Sequence, residues 1–181
     1  MTAEERNSSL KESGIIFLSG TIDEVKAENT CKDIIVMNQN EKLTKINLFI
    51  NSCGGDVCDT FSIIDLIEWS KLPIYTIALG QVSSGGLMIF MSGNNRLISP
   101  NTSILSHTHS WRIGGKHSEI LANNHENELV YNRMIKHYIK YSAVKTEKRL
   151  KETLLKQVDT YLTPEEAIKY GLADHIDGST K

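Results

Sequence analysis

Gly80-Gln81-Val82-Ser83-Ser84-Gly85-Gly86 separates two apolar runs, Ile74-Tyr75-Thr76-Ile77-Ala78-Leu79 before it and Leu87-Met88-Ile89-Phe90-Met91 after it. The first run is short and carries β-branched residues, as a buried strand does; the second reads as a buried helix. Strand, glycine turn and helix in this order are one repeat of an α/β fold. Acyl-transfer enzymes often carry a nucleophilic serine on such a turn. The turn lifts the hydroxyl clear of the backbone, and the helix N-terminus favours developing negative charge. The stretch is not Gly-x-Ser-x-Gly, and Ser83 and Ser84 are equivalent on these grounds. A plain Gly/Ser-rich turn is the competing reading until the rest of the chain supplies partners.

Working outward, the same alternation continues on both sides. Ile15-Ile16-Phe17-Leu18 predicts a short strand ended by Gly20, and Thr21 to about Asn40 predicts a helix. Leu43 to Ile50 predicts a buried strand, followed by a turn at Asn51-Ser52-Cys53-Gly54-Gly55. Asp56 or its neighbours can cap a helix in which Val57, Phe61, Ile64 and Ile67 recur at helical spacing. Beyond the serine helix, Arg96-Leu97-Ile98-Ser99 and Ser103-Ile104-Leu105-Ser106-His107 predict two short strands separated by Pro100-Asn101. This order implies parallel strands with crossover helices, an α/β fold.

From Trp111 the pattern changes. Gly114-Gly115 breaks the chain, and Ser118 to about Ser142 reads as a long, polar helix with a narrow stripe that includes Ile120, Leu121, Leu129, Val130 and Met134. A helix with so thin an apolar face is expected to contact another chain. A second helix is expected over about Thr146 to Lys156. Thr163-Pro164-Glu165-Glu166 is a capping box with proline at the first helical position, Gly171 ends that helix, and Leu172 to Ile176 predicts a last strand. At the other end, residues 1–13 read as a flexible arm, leaving 14–181 as one domain.

Bulk properties exclude several classes. The chain has 181 residues, 40% apolar and 23% charged, with a formal net charge of −2 and no basic stripe, which excludes a nucleic-acid footprint. Cys31, Cys53 and Cys58 form no CxxC and are expected as reduced, buried or incidental thiols. The polar stretch Met1 to Glu12 has no signal-peptide core, and no run of about 18 apolar residues occurs. A soluble, cytoplasmic protein without a membrane partner is the expectation.

A serine nucleophile needs a base, and the base needs an acid to hold its tautomer. Of His107, His109, His117, His125, His137 and His175, the first two end a predicted strand, where α/β proteins collect ligands; His107 is the favoured base. His107-Thr108-His109 also has the spacing of two metal ligands on one strand, but no third ligand is in view, so no metal or other cofactor is expected. Asp56, Asp65, Asp159, Asp174 and Asp177 all qualify as the acid by composition; Asp159 stands at a junction from which a side chain can point into a cleft. The N–H after the nucleophile and the Gly54-Gly55 turn can supply oxyanion donors.

Taken in order, Asn51-Ser52-Cys53-Gly54-Gly55, Gly80 to Gly86, Pro100-Asn101, His107, and Asp159-Thr160-Tyr161-Leu162-Thr163 with Ala167 and Tyr170-Gly171-Leu172 resemble the Clp protease proteolytic subunit family over roughly Ile15 to Asp177. The resemblance implies a crotonase-like α/β fold, a superhelical βαβ core with a protruding handle helix, here in about 108–145. It implies a serine endopeptidase with Ser84 as nucleophile, His107 as base, Asp159 as acid, and the N–H groups of Gly55 and Gly85 as oxyanion donors. It further implies a homo-oligomer of heptameric rings, single or stacked into a tetradecamer. Such a chamber cleaves peptides or unfolded proteins fed by an ATP-driven unfoldase ring. The chain has no P-loop, so ATP use would belong to that partner. It departs from the family's usual residues at Cys53 (proline), Gly85 (methionine) and Val158 (arginine). Two alternatives stand beside this reading: an inactive structural ring subunit, and a crotonase-like enzyme acting on acyl-CoA.

Overall fold

The order of elements follows the alternation read from the sequence. A computed structural model describes residues 1–110 and 114–176. The strands are β1 (Ile15–Ile22), β2 (Ile46–Gly55), β3 (Ile74–Ser83), β4 (Asn95–Ile98), β5 (Ser103–Ser106), β6 (Thr160–Leu162) and β7 (His175–Ile176). The helices are α1 (Ala3–Glu12), α2 (Glu24–Met37), α3 (Val57–Trp69), α4 (Gly85–Met91), α5 (His117–Tyr141), α6 (Glu147–Thr153) and α7 (Pro164–Lys169). The sheet runs β1-β2-β3-β4-β7 with parallel neighbours; β5 pairs in parallel with β3 and antiparallel with β6.

β3 forks. Its first half, Tyr75–Ala78, pairs with β4, and its second half, Gln81–Ser83, pairs with β5. The glycine-containing stretches expected as turns, Asn51–Gly55 and Gly80–Ser83, are instead the ends of β2 and β3. Their peptide groups stay in ladders because register shifts absorb the irregular backbone: one lies between Ser19 and Thr21 in the β1–β2 pair, another between Ile50 and Ser52 in the β2–β3 pair. The Asn51 side chain helps, its Oδ1 accepting the Gln81 N–H at 3.2 Å.

Helix starts follow local chemistry. The Asp56 carboxylate accepts the N–H groups of Cys58 and Asp59, capping α3, whose buried face is Thr60, Ile63, Ile64 and Ile67. Thr163 and Glu166 form the expected capping box of α7 with Pro164 behind the cap. Residues 3–12, read from sequence as part of an arm, form α1. Thr2 Oγ1 accepts the Glu5 N–H at 3.1 Å and the Glu5 carboxylate accepts the Thr2 N–H at 2.7 Å, a second capping box. Lys11 Nζ then reaches Asp33 of α2 at 2.6 Å.

The core fills the space between the sheet and helices α2, α3 and α4. Leu18, Ile46, Leu48, Ile50, Ile63, Ile74, Leu87, Ile89 and Phe90 are fully buried there. All seven residues of α4 are buried, as its uninterrupted apolar run requires. On α5 burial is confined to Val130, Met134, Ile135, His137 and Tyr138, while Leu121 and Leu129 are exposed. Its first half therefore extends past the body of the fold as a handle. The Arg96 guanidinium ties β4 to the last elements, donating to Asp174 Oδ1 at 2.5 Å and to the carbonyls of Tyr141 and Gly171 at 2.7 Å each. No helix among the described residues is long and apolar enough to cross a membrane.

Candidate active site

Ser84 sits between β3 and α4 with φ 53° and ψ −123°, the sole non-glycine with positive φ among the described residues. A side chain in that region costs on the order of 1–3 kcal/mol and persists only where neighbours over-determine it. Here they do. The Ser84 N–H donates to the Leu105 carbonyl at 3.0 Å, and its carbonyl accepts the Met88 N–H at 3.1 Å. The hydroxyl makes no capping bond to α4 and faces a cavity of about 290 Å³. Ser83, equivalent by sequence, is buried, and its hydroxyl accepts from Gln81 Nε2 at 3.0 Å. It does not line the cavity.

The same cavity is lined by Gly55, Gly85 and His107, so four of the five site residues named from sequence meet there. Asp159 does not line it and is exposed. It directly precedes β6, whose antiparallel ladder with β5 ends at the pair Ser106 and Thr160, so Asp159 and His107 each stand one residue beyond that last pair. No hydrogen bond joins Ser84, His107 and Asp159 among the described residues; catalytic hydrogen bonds are often loose before substrate binds.

Two of the other candidate acids are otherwise engaged. Asp56 lines the cavity but spends its carboxylate on the α3 cap. Hydrogen bonds from Arg96 hold the Asp174 carboxyl below the usual range against the opposing effect of burial. Asp65 lies in a separate groove between α3 and α5, and Asp177 and Trp111 lie outside the described residues. Of the other histidines, only His109 also lines the cavity. Its Nε2 donates to Asn127 Oδ1 of α5 at 2.5 Å. No group of three or more His, Cys, Asp or Glu side chains is arranged to hold a metal ion among the described residues. All three thiols are free; Cys31 is half-buried, and Cys53 and Cys58 are exposed.

Two glycines are dictated by contacts at the site. Gly54 has φ 89°, and a Cβ there would stand 2.8 Å from Ser84 Cβ and 2.9 Å from the Gly85 nitrogen. At Gly85 a Cβ would collide with Thr60 Oγ1, which is buried and donates to the Asp56 carbonyl at 2.7 Å. The small residue at position 85 thus matches a threonine on the facing helix. Thr60 and Tyr138 both line the cavity and were not singled out as site residues from sequence, where each reads as one position on a helix face. Only the packing of α3 and α5 over the turn reveals them.

A mostly parallel sheet, a strained serine at a strand–helix junction, a cavity over the strand ends and a long, half-exposed handle helix define the class as an α/β protein with a serine site. The Clp protease family model matches residues 2–180, and the chain belongs to that family. It is similar to the ATP-dependent Clp protease proteolytic subunit of Deinococcus radiodurans, 27% identical over 176 residues, which are 96% of this chain and 85% of the relative. It is also similar to the ATP-dependent Clp protease proteolytic subunit 1 of Bifidobacterium longum, 28% identical over 179 residues, which are 97% of this chain and 76% of that relative.

Proposed function

We propose that this chain is a serine endopeptidase of Clp type. The observation that carries the reading is the convergence of Ser84, strained on its turn, with His107, Gly55 and Gly85 on one cavity. In the first step His107 takes the Ser84 hydroxyl proton as Oγ bonds to the peptide carbonyl carbon. The N–H groups of Gly55 and Gly85 stabilise the oxyanion. The C–N bond then breaks, and His107 returns the proton to the leaving amine. A water, deprotonated by His107, attacks the acyl-serine; the ester bond breaks, the peptide acid leaves and Ser84 regains its proton. In this reading Asp159, one residue before β6, orients the imidazole of His107, one residue after β5.

The printed names of the relatives describe proteolytic subunits of ATP-dependent proteases. For this chain we infer the same setting: a homo-oligomeric chamber, one heptameric ring or two, acting on peptides or unfolded proteins delivered by a separate ATP-driven partner in the cytoplasm. The exposed half of α5, with Leu121 and Leu129, supports a contact between copies.

The exposed position of Asp159, off the cavity that Ser84 and His107 line, supports one second reading, a ring subunit that does not cleave. Peptide hydrolysis and fluorophosphonate labelling of the purified full chain separate the two. Wild type should cleave and label at Ser84. Ser84→Ala should lose roughly 10⁴-fold or more in kcat and all labelling. Labelling that persists in Ser84→Ala refutes the nucleophile assignment, and a wild type inert in both assays supports the structural subunit.

A further inference from the structure

Two consecutive residues of α5 reach both elements that meet at Ser84. The His137 Nε2–H donates to the Met88 carbonyl of α4 at 2.9 Å. The Tyr138 hydroxyl shares a hydrogen bond of 3.0 Å with Ser106 Oγ at the end of β5. Both side chains are buried, at 6% and 1% exposure, and Ser106 is fully enclosed. The bonds continue inward. Met88 donates its N–H to the Ser84 carbonyl, and Leu105, adjacent to Ser106, accepts the Ser84 N–H. Together they close a ring that runs Ser84, Leu105-Ser106, Tyr138-His137, Met88 and back to Ser84.

We infer that His137 and Tyr138 are positioning residues, a two-point clamp by which α5 holds the strained Ser84 backbone and the β5 strand leading into His107 in one fixed relation. The inference rests on the reading of Ser84 as nucleophile and His107 as base. Its physical basis is the position of the ring. Ser84 occupies a backbone region that relaxes unless held; one of its two direct hydrogen bonds goes to Met88, which His137 tethers, and the other to Leu105, whose neighbour Ser106 is tethered by Tyr138. Ser106 immediately precedes His107, so a shift of β5 moves the base relative to the nucleophile. Displacements well under 1 Å matter to a reaction that needs near-attack geometry. The remaining neighbours of the His137 ring are Phe61 of α3 and Tyr141 of α5, with Glu68, Lys140, Arg133, Lys136 and Asp65 around the adjoining groove. None of these offers a second route from α5 to the serine turn.

The test removes one atom at a time from the ring. Ser106→Ala deletes the strand-side hydroxyl of a residue that does not line the cavity, and Tyr138→Phe deletes the helix-side hydroxyl. Each should lower kcat and the rate of fluorophosphonate labelling by about 3- to 10-fold with KM little changed, the size expected for one lost hydrogen bond. The double variant should be no worse than the more impaired single one. His137→Gln, which keeps an N–H donor, should retain the labelling rate, whereas His137→Leu should lose it by a similar factor. Melting temperatures recorded alongside separate a structural role, which would lower stability while leaving labelling well below the transition unchanged.

Labelling and kcat at the wild-type level in Ser106→Ala overturn the clamp. A raised KM in Tyr138→Phe with Ser106→Ala silent also overturns it, since Tyr138 would then act only as a cavity wall. If Tyr138→Phe does not fold, Ser106→Ala and the two His137 variants carry the decision. A wild type that fails to label at Ser84 overturns the nucleophile reading itself, and the clamp with it. Wild-type labelling with unaffected variants overturns the clamp alone.

Discussion

His137 should make this protein less stable in mild acid, by an amount that follows from its surroundings. The imidazole is 6% exposed on the buried face of α5, with its Nε2–H committed to the Met88 carbonyl. Burial depresses its pKa from 6.5 to about 4, an effect only partly offset by the Met88 bond and by the Glu68 carboxylate, and reinforced by Lys140. Glu68 cannot act as a dedicated counter-ion. Burial works against its ionisation, but Lys140 at 2.8 Å and the Tyr141 hydroxyl at 2.8 Å already occupy its oxygens and hold its carboxyl below the usual range.

The unfolded chain therefore takes up a proton near pH 6.5, while the folded one resists until about pH 4. Stability is full above pH 6.5, declines as pH falls between these values, and levels off below about 4. At about 1.4 kcal/mol per pH unit the loss is about 3 kcal/mol, a large part of the margin of an ordinary domain. Urea unfolding of wild type and His137→Gln, measured at intervals from pH 7.5 to pH 4, isolates the effect. Glutamine can keep the donor to Met88 but does not titrate. The gap between the two stability curves should change by about 3 kcal/mol in favour of the glutamine variant on acidification. Curves that stay parallel throughout would refute the assignment of a buried neutral imidazole.

Gly54, at the end of β2, and Gly85, next to the serine, make sharper demands on activity than on folding. Gly54→Ala places a methyl group 2.8 Å from Ser84 Cβ in a backbone region that costs about 1–2 kcal/mol for a side chain. It should reduce kcat/KM by at least about 10-fold, beyond what its lower melting temperature explains; an alanine variant with wild-type kcat/KM would contradict the packing described. Gly85→Met should lose peptide hydrolysis because Thr60 Oγ1 occupies the space. Adding Thr60→Ala should recover part of the activity, and a double variant no better than Gly85→Met would show that Thr60 is not the obstacle.

Sequence carried the fold wherever the signal was local. The Thr163 capping box, the Asp56 cap and the all-apolar α4 depend on neighbours within one helical turn, and the structure has each of them as read. The same local logic at Thr2 and Glu5 encodes α1, whose first turn looks like an unstructured polar terminus when composition is weighed before spacing. What escaped depends on distant partners. β6 is three residues long and exists because β5 is there to pair with it. Glycines in β2 and β3 resemble turns until the register shifts that keep them in ladders are seen. At the site, residue types and their order point to His107 and the Gly54-Gly55 turn, while the family resemblance singles out Ser84, Gly55 and Gly85 as candidates; Ser84, His107, Gly55 and Gly85 line one cavity. Ser83 was separated from Ser84 by family register alone; its burial and its bond to Gln81 give a physical reason. The threonine facing Gly85 and the tyrosine facing Ser106 lie far off in sequence, so nothing near the glycine or the strand announces them.

The fork in β3 has a consequence for how this scaffold tolerates change. In many enzymes the reactive groups ride on loops that can be exchanged without disturbing the framework. Here one continuous strand supplies core side chains at Ile74, Ile77 and Ala78 and then, without an intervening loop, delivers the chain to Ser84. No modular cut separates the two. An insertion or a register slip anywhere along β3 travels directly from the interior to the serine. The segments open to grafting are those that neither branch of the fork touches, such as the exposed tip at Glu41-Lys42 between α2 and β2.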